Sequence, residues 1–115
     1  MAVNVNPVGV PAWLGGDYVT VAASQAAQVI SAGGGGAVGD LLCELIIIPI
    51  TTAAASVSIT DGSGSAITVF TGGGTLVDLK PFSVRFGPSG AKSTSGPWKV
   101  TTGANVSAIA LGKFT

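Results

Sequence analysis

The 115-residue sequence predicts an all-β fold: a compact, jelly-roll-like β-sandwich, or a flattened barrel, of about eight short antiparallel strands behind an extended N-terminal arm. Three observations carry this. From Asp17 onward, apolar and polar residues alternate with period two in one short segment after another. Clusters of Gly, Pro, Asn, Asp and Ser separate those segments at near-regular spacing. The one stretch rich in helix-favouring residues, SQAAQVIS (24–31), is short and runs into the glycines at 33–36, so it reads as a turn and a second strand.

Residues 1–16 stand apart. Pro7 and Pro11 forbid a regular helix, Gly9, Gly15 and Gly16 loosen the chain, and Trp13 and Leu14 are apolar anchors. This composition predicts an extended arm that docks on a partner, with Pro7, Val8, Pro11, Trp13 and Leu14 as its candidate contact residues. Residues 17–115 form the sandwich domain.

The strands follow in order. Tyr18, Thr20 and Ala22 alternate with Val19, Val21 and Ala23. In LLCELIII, Cys43, Leu45 and Ile47 are expected on one face and Leu42, Glu44, Ile46 and Ile48 on the other. Both faces are apolar, so this is a central strand covered on both sides, or one whose outer face meets another subunit. Val57 and Ile59 point inward from SVSIT, and Asp61-Gly62-Ser63-Gly64 supplies hairpin chemistry, because glycine tolerates the positive φ of tight turns. Residues 65–70 return as the partner strand. A short segment at 76–79 leads to Pro81, after which Phe82, Val84 and Phe86 make an apolar face opposite Ser83 and Arg85. Residues 87–97 read as a long loop. Trp98 and Val100 then point inward, opposite Lys99 and Thr101, residues 102–105 turn the chain, and residues 106–111 form the last strand.

Charge narrows the function classes. Five basic and five acidic residues cancel, and charged residues make up 9% of the chain, against roughly 25% in ordinary globular proteins. There is no basic field for nucleic acid. So sparse a charge implies either an uncharged polar surface or one covered by other subunits. The beginning of the sequence has neither the basic nor the apolar region of a signal peptide, and no apolar run approaches the ~20 residues of a membrane helix. Synthesis in the cytoplasm, without nucleic-acid or membrane partners, is the expectation.

The residues offer little chemistry. With no His and one Cys, the usual general base, the His-dependent nucleophilic dyads and an intrachain disulfide are all missing. Cys43, in an apolar run, reads as a small buried hydrophobe. Asp17, Asp40, Glu44, Asp61 and Asp78 are scattered, and Asp61 is accounted for by its turn. GGGGAVGD (33–40) lacks the Lys-Ser/Thr of a phosphate-binding loop and reads as a flexible loop between strands. Lys80, Arg85, Lys92 and Lys99 lie near Phe86 and Trp98, but they read as solvated strand faces and not as a single-strand nucleic-acid groove. Trp98 would be a sugar-stacking platform only if it pointed outward, and its alternation with Lys99 points it inward. The expectation is a protein that is no enzyme and has no catalytic residues, cofactor or metal.

GDYVTVAASQAAQVI, ITTAAASVSITDGSGSAITVFTGG, DLKPFSVRFG and SGPWKVTTGANVSAIALGKFT resemble small virion proteins encoded among the structural genes of tailed bacteriophages. The resemblance spans roughly residues 16–115, and its most distinctive piece is the ending WKVTTGANVSAIA. It implies a particle component on the capsid surface, a decoration (cement) protein binding the major capsid protein, commonly trimeric. A tail or head-fibre component, or a glycan-binding β-sandwich module, is the alternative expectation.

Overall fold

The computed structural model describes residues 16–73 and 79–115. The arm residues Pro7, Val8, Pro11, Trp13 and Leu14, and most of the segment at 76–79, lie outside them. Among the described residues nine strands follow in chain order: β1 (Asp17–Val21), β2 (Gln28–Val29), β3 (Leu41–Pro49), β4 (Val57–Asp61), β5 (Ile67–Phe70), β6 (Phe82–Arg85), β7 (Ala91–Lys92), β8 (Trp98–Thr102) and β9 (Val106–Lys113).

They form two antiparallel sheets packed as a sandwich. Sheet A has the order β1-β9-β3-β6, with β7 also on β3, and sheet B the order β2-β8-β4-β5. With the two-residue β7 set aside, the pairs are first with last, second with second-last, third with sixth and fourth with fifth. That nested pairing is the jelly roll, made by folding one long antiparallel ribbon over on itself. The sequence expectation of a jelly-roll-like sandwich therefore holds, with nine strands in place of eight. The additional strand is β7, inside the stretch read as a loop at 87–97. Two residues are too few to show a period.

Between the sheets lies a core of fully buried aliphatics: Val21 from β1, Leu42, Leu45 and Ile47 from β3, Val57 from β4, Val100 from β8, and Val106 and Ala110 from β9. Each points inward because its neighbours alternate outward, as β9 shows with Val106, Ala108, Ala110 and Gly112 buried and Ser107, Ile109 and Leu111 half-buried. Gly112 has no room for a side chain, since an added Cβ would run into the Leu41 carbonyl oxygen.

Strand β3 departs from the expected alternation. Leu42 pairs with Gly112 but Glu44 with Leu111, so Cys43 is the additional residue of a β-bulge. The bulge returns Leu42 to the same inward face as Leu45 and Ile47, whereas uninterrupted alternation had put Leu42 with Glu44 and Cys43 with Leu45. It sits where the partner changes. β9 occupies one edge of β3 along its length, so β6, on Glu44–Ile47, and β7, on Leu41–Leu42, share the other. Cys43 is buried there, its Sγ 3.9 Å from the Ser89 carbonyl oxygen, and burial pushes its thiol pKa up.

The two long sides of the sandwich close differently. On the β1–β2 side, Gln28 Nε2 donates to Thr20 O at 3.1 Å, and Thr102 Oγ1 donates to Ala22 O at 2.5 Å. On the β5–β6 side, Phe70 meets Phe82 edge to face with ring centroids 5.3 Å apart. That seam is incompletely covered: Ile67, paired with the inward Ile59, remains 53% exposed.

Candidate contact surface

No group of acids converges among the described residues. Among the described residues, no three of His, Cys, Asp and Glu are grouped to hold a metal, and each carboxylate binds donors of its own chain. Asp17 Oδ2 accepts from Phe114 N at 3.0 Å. Asp40 Oδ2 accepts from Ala37 N at 3.0 Å and Thr115 N at 3.1 Å, while Oδ1 accepts from Thr115 Oγ1 at 2.6 Å. Burial of Asp40 opposes its ionised form, but these hydrogen bonds outweigh it and hold the pKa below the ordinary carboxylate value. Asp61 does more than shape its turn. Its carboxylate accepts from Ser95 N at 2.9 Å and from Thr94 N and Oγ1, which pins the loop before β8, and the Ser95 amide leads in lowering its pKa.

The glycine-rich loop is likewise engaged. The Thr115 carbonyl oxygen accepts from Ala32 N (3.2 Å), Gly36 N (3.0 Å) and Ser31 Oγ (3.0 Å), and Ser31 Oγ itself accepts from Gly33 N and Gly35 N. The amides of Gly33 and Gly35 are thus taken up by Ser31, and that of Gly36 holds the end of the described chain. The loop joins β2 to β3, as expected, and also clasps the Thr115 carbonyl. Trp98 is also committed: its ring is buried, and Nε1 donates to Asp40 O and Ala91 O, both at 3.1 Å. It points inward as the alternation predicted and offers no face to a sugar.

What remains is surface, and the two outer faces differ. On sheet A the register aligns Tyr18 with Leu111, Leu111 with Glu44, and Glu44 with Arg85. The next row is Thr20, Ile109, Ile46 and Ser83, followed by Ser107 and Ile48. Ile46, Ile48, Ile109 and Leu111 are half-buried, Tyr18 is 70% exposed, and none of them belongs to the core cluster. One ion pair crosses the face: Arg85 Nε lies 3.8 Å from Glu44 Oε1, and Ser83 Oγ donates to Glu44 Oε2 at 2.8 Å. Lys92 and Lys113, aligned with Leu41, stand at its end. The outer face of sheet B aligns Thr68, Ser58 and Thr101 in one row and Thr60, Lys99 and Val29 in the next, with Val29, at the β2 edge, the one aliphatic residue among these positions.

The sequence foresaw that β3 is apolar on both sides. It did not show that Ile109, Leu111 and Tyr18 extend the outer side into a patch, because strands β1, β9 and β3 are remote in the chain and only the register brings them together. No family model, no curated protein and no solved structure matches this chain.

Proposed function

We propose that this chain is a non-enzymatic structural protein of a virus particle, a decoration (cement) protein that binds the head of a tailed bacteriophage through protein–protein contact. One observation supports it above the others: the outer face of sheet A is an aliphatic sheet surface with a neutralised ion pair, suited to burial against protein. The resemblance of roughly residues 16–115 to small phage virion proteins favours the major capsid protein as the partner. Few charges lower the desolvation cost of bringing such surfaces together.

In this reading the arm engages the particle. Its prolines limit the conformational freedom lost on docking, and Trp13 with Leu14, beside Pro7, Val8 and Pro11, supplies anchors of the kind that dominate interfaces. The test is co-sedimentation of the purified chain with heads assembled without it. Full-length protein is expected to co-sediment and to appear as added density on imaged heads. A chain lacking residues 1–14 is expected to fold yet stay in the supernatant. Full-length protein that leaves the heads bare overturns the proposal, and undiminished binding of the truncated chain removes the arm from it.

A further inference from the structure

We infer that the outer face of sheet A is the contact between two copies of this chain, packed sheet against sheet about a two-fold axis parallel to the strands. This deepens the proposed particle role, which rests on that face being suited to burial against protein, by naming a second copy as what covers it while the arm reaches the head.

The pattern on the face is self-complementary. A two-fold axis along the strands reverses their order while preserving position along them, so β1 of one copy lies over β6 of the other and β9 over β3. Ile109 then meets Ile46 of the second copy at the centre, and Thr20 lies over Ser83. Tyr18, the aromatic at one edge, lies over Arg85, the cation at the opposite edge, a cation–π pairing made twice by symmetry. The Arg85 side chain is 59% exposed and, among the described residues, is held by the long 3.8 Å contact to Glu44 alone, so it retains donors for this role.

Charge permits the pairing. Glu44 and Arg85 neutralise each other within one copy, so stacking the faces buries no unpaired ion. Lys92 and Lys113 lie at the end row, with Asp17 and Asp40 close behind on the same chain. Their long stems can carry the ammonium groups outward into solvent, where salt screens what repulsion is left.

Area sets the strength. Four strands spaced at about 4.8 Å and about seven residues of β3 give a face of roughly 400–450 Å², or roughly 900 Å² for the pair. That lies below the roughly 1,000 Å² that stable specific interfaces clear, so the pair is weak and reversible and forms at high local concentration. An isologous face closes at two; a trimer would need different surfaces.

Sedimentation equilibrium of the full chain at 1–500 μM reads this directly. The expected mass rises from the monomer's 11.1 kDa towards twice that value, and the association tightens as salt increases. Ile46→Lys and Ile109→Lys are expected to abolish pairing. Tyr18→Lys is expected to weaken it about tenfold or more while leaving folding intact, because Tyr18 is exposed and the new cation faces Arg85. Tyr18→Ala and Arg85→Ala should each weaken it about 2- to 5-fold, and the double variant less than the product of the two. Ser58→Lys on sheet B should change nothing. A monomer at every concentration, a trimer, or a dimer that ignores Tyr18→Lys and Ile46→Lys overturns the inference. Co-sedimentation with heads separates the two ideas: a monomeric chain that binds heads sinks the pairing alone, and a dimer that ignores heads sinks the particle role alone.

Discussion

The two outer faces of this sandwich are built on the same backbone plan and finished with opposite chemistry. Sheet B turns Ser58, Thr60, Thr68, Lys99 and Thr101 outward, side chains that hydrogen-bond water and need no cover, with Val29 at its β2 edge the aliphatic exception. Sheet A turns out Tyr18, Ile46, Ile48, Ile109 and Leu111 among Thr20, Ser83, Ser107 and the Glu44–Arg85 ion pair, with Lys92 and Lys113 at one end. Strands hydrophobic on both faces belong to sheets covered on both faces, yet sheet A has a sheet behind it on one side alone. The difference teaches that low overall charge need not mean a uniformly bland exterior. Here, one side is suited to water and the other to protein.

The sharpest way to break this comparison is within β3. Ile47 is fully buried between the sheets and Ile46 lies on the outer face. Ile47→Ala should cost about 2–5 kcal/mol in denaturant unfolding, and Ile46→Ala well under half of that at a concentration where the chain is a monomer. Equal costs would mean the outer face already belongs to a core.

Next in size is the link between the sheets. Asp40 binds Thr115 at the end of sheet A by its carboxylate, and its carbonyl oxygen receives Trp98 Nε1 from sheet B. Asp40→Ala would leave the Ala37 and Thr115 amides without their acceptor and should cost about 1–3 kcal/mol. Trp98→Phe, which removes only the donor, should cost about 1 kcal/mol.

Acid should act through the same carboxylate. The folded pKa of Asp40 lies below its unfolded value, so the unfolded chain binds the proton more readily. Its contribution is complete above about pH 4 and lost as the pH falls through the folded value. Asp61 follows the same sign. Thermal melts should be flat from pH 7 to 5 and fall below pH 4, and Asp40→Asn should flatten part of that fall. The smallest effect is expected on sheet B: Thr68→Lys should change stability by no more than about 0.5 kcal/mol.

Local signals made much of the fold legible. Period-two alternation placed β1, β3, β4, β6, β8 and β9, and Asp61-Gly62 placed the β4–β5 turn, where Gly62 has φ +56° and an added Cβ would strike the Ser95 backbone. Features that depend on distant partners were not legible. The bulge at Cys43 answers to β9 and to the change from β6 to β7, so nothing near Cys43 announces it. The clasp on Thr115 joins residues about eighty positions apart, and its glycines look the same whether they hold a carbonyl or nothing. The apolar face was half visible, as Ile46 and Ile48, because the rest of it lies on strands that only the jelly-roll order sets alongside.

The Asp17–Phe114 hydrogen bond fixes a polarity for the whole molecule. It brings the start of β1 and the end of β9 to one pole, together with Asp40 and, through Trp98, the Asp61 turn. The turn at Ala104 and Asn105, both exposed, lies at the other pole beside Ile50 and Ala55. An attachment through residues that precede β1 would therefore orient the sandwich with this turn outermost. A peptide inserted between Ala104 and Asn105 would be carried away from whatever the protein is fastened to, making that turn the natural place for displayed cargo.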